Sequence, residues 1–92
     1  MKAIKIHTDD NVATLIGKVE KGENVSIFSA EGKVVGTVTA SSAIPLGHKL
    51  SVEEIGMDAD VVKFGEVIGK AVQVIEKGMH VHVHNVESRR VR

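Results

Sequence analysis

Glycine divides this chain into short pieces. The pattern apolar, two residues, glycine, two residues, apolar recurs as VEKGENV at 19–25, IPLGHKL at 44–50 and IEKGMHV at 75–81. Each reads as a turn whose glycine accepts positive φ between two buried anchors, the second of which opens a strand. Turn chemistry fixes few residues, so the recurrence is read as reuse of one favourable turn rather than as an internal duplication. A chain punctuated in this way is built from short strands, and no long amphipathic helix appears in it.

The segments between the turns agree. KAIKIH at 2–7 alternates polar and apolar residues, and NVATLIGKV follows an Asp-Asp turn signal, which predicts a hairpin. NVSIF and KVVGTVTA flank SAEG, where Gly32 suits a tight connection, and predict a second. Pro45 withholds an N–H, so AIPLGHKL is expected as an ordered turn or edge segment rather than a central strand. Ser51 and Glu54 form a capping-box pattern that predicts one short helical turn at 52–56. DADVVKFGEVIGKAVQVIEKG reads as two β segments broken at Gly65, followed by a histidine-bearing strand from Met79 to about Val86. With 16 Val and 8 Ile against two Phe and no Trp or Tyr, the core must be made of β-branched aliphatics. The expectation is one mainly β domain over residues 1–92, with short hairpins and at most one short helix.

Composition also excludes. Twelve Lys plus Arg balance twelve Asp plus Glu, and without Trp or Tyr as stacking platforms the chain lacks the electrostatics and the surfaces for DNA or RNA. No apolar run approaches the roughly 20 residues that span a bilayer, and MKAIKIHTDD is too short and interrupted for a signal peptide, so a cytoplasmic protein without membrane contact is expected. The absence of cysteine removes disulfides, thiol nucleophiles and Cys-ligated zinc. No Ser-His-Asp motif, P-loop or dinucleotide fingerprint is present.

Chemistry is concentrated in GMHVHVHNVES at 78–88. On a regular strand, alternation would send Val81 and Val83 to the core and His80, His82 and His84 to the other face. Neighbouring histidines would then be about 6.6 Å apart in rise, close enough for two imidazoles, such as His80 and His82, to converge on a metal. His80 and His84, about 13 Å apart, would meet at one ion only if the strand bends. The same face could instead contact substrate or move a proton, or be an ordinary solvated strand face. His48 lies beside Lys49 in the IPLGHKL turn, open to solvent or ligand; His7 reads as a hairpin cap. Asn85 offers an amide to a hydroxyl or carboxylate, or serves the turn at the strand end. Arg89 and Arg90 in the terminal SRRVR could pair with carboxylates of a partner chain.

Three blocks in order, residues 44–49 (IPLGHK), 63–69 (KFGEVIG) and 80–85 (HVHVHN), resemble the SAF domain of the altronate and galactarate dehydratases, over essentially the whole chain. The resemblance implies a β-clip fold and a carbon–oxygen lyase, a hydro-lyase acting on sugar acids, of which this chain is the small subunit, inactive alone. It implies a large catalytic subunit as partner and a divalent metal, iron, carried mainly by that subunit. His48, His82 and His84 would be the catalytic histidines at the rim of the shared site, with Lys49 and Asn85 binding substrate and His80 and His82 offering metal ligands. The small subunit of sulfolactate sulfo-lyase looks similar too, and a non-catalytic carbohydrate-binding or assembly module is the alternative from another class; a second copy of the chain, in a homo-oligomer, is a further candidate partner.

Overall fold

The computed structural model describes residues 1–88, so the expectation for Arg89 and Arg90 lies outside the described residues. Nine strands are present among them: β1 (Lys2–Lys5), β2 (Val12–Leu15), β3 (Asn24–Ser29), β4 (Val34–Thr39), β5 (Lys49–Ser51), β6 (Asp60–Lys63), β7 (Glu66–Ala71), β8 (His80–Val81) and β9 (Val86–Ser88). They form a six-stranded sheet ordered β4-β3-β1-β2-β5-β8 and a three-stranded sheet ordered β6-β7-β9. The two expected hairpins are present, and the two β segments expected on either side of Gly65 form a third. β1 pairs antiparallel with β2, β3 with β4 through a turn in which Gly32 has φ 86°, and β6 with β7 through Phe64 and Gly65 at φ 57° and 74°. Two consecutive residues at positive φ give the backbone twist that a two-residue hairpin loop needs.

The glycine turns organise the rest, and they number four rather than three. At residues 20–23, 45–48, 56–59 and 76–79 the fourth residue's N–H donates to the first residue's carbonyl, with distances of 3.0–3.1 Å. The third position has positive φ each time: Gly22 88°, Gly47 83°, Asp58 68° and Gly78 90°. Asp58 hid the fourth copy, IGMDADV, from a pattern keyed on glycine, yet a short polar side chain tolerates this conformation better than most. The turns are joined in two pairs. Val19 and Ile44 exchange both backbone hydrogen bonds, as do Ile55 and Ile75. Gly22 N–H donates to Ala40 O while Gly47 N–H donates to Leu15 O; in the second pair Asp58 N–H donates to Ala71 O and Gly78 N–H to Ser51 O. Each turn thus ties down the strand end that leads into its partner.

Two aliphatic clusters fill the interior, one around Ala3, Leu15, Val25, Ile27, Ile44 and Leu50, the other around Val12, Ile55, Val61, Ala71, Ile75 and Val81. Neither Phe28 nor Phe64 belongs to either cluster. Among the described residues no helix is long and apolar enough to cross a membrane.

Three local expectations are corrected. No helical turn forms at 52–56. Ser51 ends β5, and its hydroxyl accepts from Met79 N–H and donates to Glu76 O, so it ties β5 to the turn at 76–79 instead of capping a helix. Although Pro45 does sit in a turn, Lys49–Ser51 continues into a strand flanked on both sides, by β2 and β8. The histidine strand is the largest departure. It stops after Val81, residues 83–85 turn, and β9 leaves for the other sheet, so Val83 is 81% exposed rather than buried.

Candidate functional site

Four histidines converge where β5 meets β8. The pairing of Lys49 with Val81 and of Leu50 with His80 carries His48, just before β5, to the position facing His82, just after β8. The His48 and His82 rings stack with centroids 4.5 Å apart, and His80 lies 5.0 Å from His48 and 5.4 Å from His82. His48 Nδ1 and His80 Nε2 are 2.9 Å apart and share a hydrogen bond. Because the chain turns at 83–85, the His84 ring returns to within 5.3 Å of His80, a meeting that a straight strand would forbid.

Asn85 makes that turn. It is fully buried; its Oδ1 accepts from His82 N–H at 3.0 Å, its Nδ2 donates to His80 O at 2.8 Å, and its own N–H donates to His82 O. With both ends of the amide committed to the backbone that carries His80 and His82, Asn85 sits as a clamp behind the histidines rather than at the surface where a substrate would meet it.

Burial, followed by the neighbouring His48, His84 and His82 and the charge of Lys49, pushes His80 down to about 4. His82 is also lowered, by desolvation, His48, Lys49 and His84. Lys49, half-buried, is shifted down by burial and by Lys63. The cluster therefore resists accumulating protons, and at neutral pH His80 presents lone pairs rather than positive charge.

One ring nitrogen from each of His48, His80 and His82 can be chosen so that all three lie within 4.8 Å of one another. Ligands bound at about 2.0–2.1 Å to one ion stand roughly 3–3.5 Å apart, so these imidazoles fit a divalent metal with small side-chain movements. His48 is the donor that spacing within the histidine run did not reveal. The signal was the recurring turn, which places His48 directly after Gly47 and His80 two residues after Gly78. His84 is exposed and reaches the cluster only through His80, and His7 lies elsewhere, its Nδ1 accepting from Asp9 N–H in the β1–β2 hairpin as a cap would.

Beside the cluster a hollow of about 210 Å³ is lined by Lys49, Ile68, His82, Val83, Val86 and Ser88. A larger, mostly apolar groove of about 430 Å³ runs past Val19, Ile44, Pro45 and Leu46 and contains none of the histidines.

The family description "altronate/galactarate dehydratase SAF domain" matches residues 1–89. Altronate dehydratase of Escherichia coli is 38% identical over 88 residues, 96% of this chain and 17% of that protein. The alpha subunit of (2R)-sulfolactate sulfo-lyase from Chromohalobacter salexigens is 36% identical over 83 residues, 89% of this chain and 88% of that subunit. Galactarate dehydratase (L-threo-forming) of Escherichia coli is 32% identical over 75 residues, 13% of its length. The chain therefore spans about a sixth or less of these two dehydratases and most of the sulfo-lyase subunit.

Proposed function

Because the chain belongs to the altronate/galactarate dehydratase SAF-domain family, within which the named relatives are lyases, we propose that it is the small subunit of a hydroxy-acid lyase, altronate dehydratase-like. In this reading a large catalytic chain supplies most of the active site, and the histidine cluster forms part of its wall. The observation that carries the proposal is the convergence of His48, His80 and His82 from two separate turns, which a solvated polar strand face would not require.

Loss of a group beta to a carboxylate needs a base for the proton next to that carboxylate and an acid for the departing group. His84, exposed at the edge of the cluster and outside the metal-capable set, is placed to accept or return such a proton. His80, held neutral by burial and its neighbours, shares a hydrogen bond with His48 that a bound metal would replace. Lys49 supplies positive charge for the substrate's acidic group, and Asn85 acts through the backbone of His80 and His82 as a positioning residue. A divalent metal, iron by the family resemblance, would be held by His48, His80 and His82 together with groups of the large chain. It would supply Lewis-acid polarisation of the substrate's oxygen atoms. Imidazole donors suit iron, zinc and cobalt alike.

The smaller sulfo-lyase subunit supports a second substrate within the same reading, sulfolactate, since its alpha subunit aligns over most of its length. The test is co-purification of the tagged chain from its native cell, followed by turnover assays with altronate, galactarate and (2R)-sulfolactate. A large lyase chain should co-purify, the complex should turn over one of the three, and His82→Ala should lower that turnover by about 10²–10⁴-fold. The chain alone, supplied with metal, should turn over none. Recovery without a large chain would favour a binding or assembly module, and full turnover by the His82 variant would remove the histidines from the chemistry.

A further inference from the structure

We propose that the hollow beside the histidines is an anion subsite that takes the carboxylate or sulfonate end of a small hydroxylated acid, with Lys49 as the charged anchor and the His82 ring beside it. The inference rests on the hydroxy-acid reading above and adds the place and polarity of the contact.

Lys49 is the charged group in the lining, and among the described residues it forms no ion pair. A half-buried lysine lays its stem on the apolar surface and keeps its ammonium in water, and here no carboxylate of the described residues is paired with that ammonium, which leaves it available to an anion. Here the neighbouring charge that acts on Lys49 is Lys63, on the adjacent hairpin, which adds positive potential instead of neutralising it. The rest of the lining is mostly apolar, Ile68 from β7, Val86 from β9 and Val83 from the turn, with Ser88 from β9. Val83, at 81% exposure, is an isolated aliphatic side chain kept at the mouth by the Asn85 turn. A cation, an imidazole beside it and aliphatic side chains match an acid with a short carbon skeleton, and a hollow of about 210 Å³ that is open to solvent admits its acidic end.

The test is a ¹⁵N and ¹³C NMR titration of the chain with sodium lactate, with sodium isethionate as the sulfonate arm, and with sodium chloride and glycerol as controls. Saturable shifts centred on Lys49, His82 and Val86 are expected with one or both acids, and whichever arm saturates at lower concentration identifies the preferred head group. Lys49→Gln should weaken that binding roughly tenfold or more, and Lys49→Arg should largely retain it. Amide dispersion of each variant checks that it is folded. Shifts reproduced by sodium chloride at equal ionic strength, absence of saturation with both acids, or unchanged affinity in a folded Lys49→Gln variant would overturn the subsite. Zinc titration of Lys49→Gln separates the two proposals, because metal binding by the histidines does not depend on Lys49 and should persist whether or not the anion subsite exists.

Discussion

Replacing Asn85 with alanine probes the link between fold and site directly. The substitution removes the acceptor for His82 N–H and the donor to His80 O in a position with no solvent access. Each backbone group left without a partner costs about 1–3 kcal/mol, and the truncated side chain leaves a small void, so a total of roughly 2–5 kcal/mol is expected. A domain of 92 residues has about 5–14 kcal/mol of stability in all. At about 4–8 °C per kcal/mol for a chain near this size, the melting temperature should fall by roughly 10–30 °C. Release of the turn also frees His82 from its stack on His48, and residues that orient metal ligands are typically worth about 10–100-fold in affinity. Circular dichroism melting and zinc calorimetry on the folded variant at low temperature measure both effects. A melting temperature within about 3 °C of the parent, together with unchanged zinc affinity, would refute the clamp role of Asn85.

Other perturbations have contrasting outcomes. Gly22 and Gly78 share nearly the same φ, but a Cβ at Gly22 meets open space whereas one at Gly78 would collide with Thr39 O. Gly22→Ala should therefore cost only the left-handed backbone penalty of about 1–2 kcal/mol, and Gly78→Ala more than about 4 kcal/mol, as urea unfolding would show. Val81→Ala, in the core, should cost roughly 1–3 kcal/mol, and Val83→Ala, in the open, within about 0.5 kcal/mol. Acid should weaken the fold in a defined window. His80 takes up a proton at about 6.5 when unfolded and at about 4 when folded, so its contribution is complete above pH 6.5 and is lost as pH falls to about 4. That loss is on the order of 1–3 kcal/mol after allowance for partial exposure, and a His80→Gln variant should lack this part of the pH dependence in denaturant titrations.

Much of this architecture was legible because β-branched alternation and positive-φ glycines act locally. The hairpin around Gly32 and the break between two β segments at Gly65 follow from a few adjacent residues, and both formed as expected. What escaped depended on partners distant in sequence. Ser51 carries a sound helix-start pattern, but Glu76 and Met79, some 25 residues on, engage its hydroxyl first. The histidine run alternates as a strand would, yet Asn85 closes a turn that alternation cannot reveal, and the ring of His84 comes back toward His80 in consequence. That same bend places His82 against His48, so the candidate site is more compact than a straight strand permits. The fourth turn was masked by one residue, Asp58, that does glycine's conformational work with a side chain attached.

Cobalt(II) titration of the purified chain, followed by visible absorption and calorimetry, tests most directly whether His48, His80 and His82 form one metal site. One cobalt per chain should bind, with absorption bands characteristic of imidazole coordination. Alanine at any of the three positions should weaken binding by more than the roughly 10–100-fold typical of a merely supporting residue. Failure to saturate, or affinity unchanged when His48 and His82 are replaced in a chain that remains folded, would contradict the site.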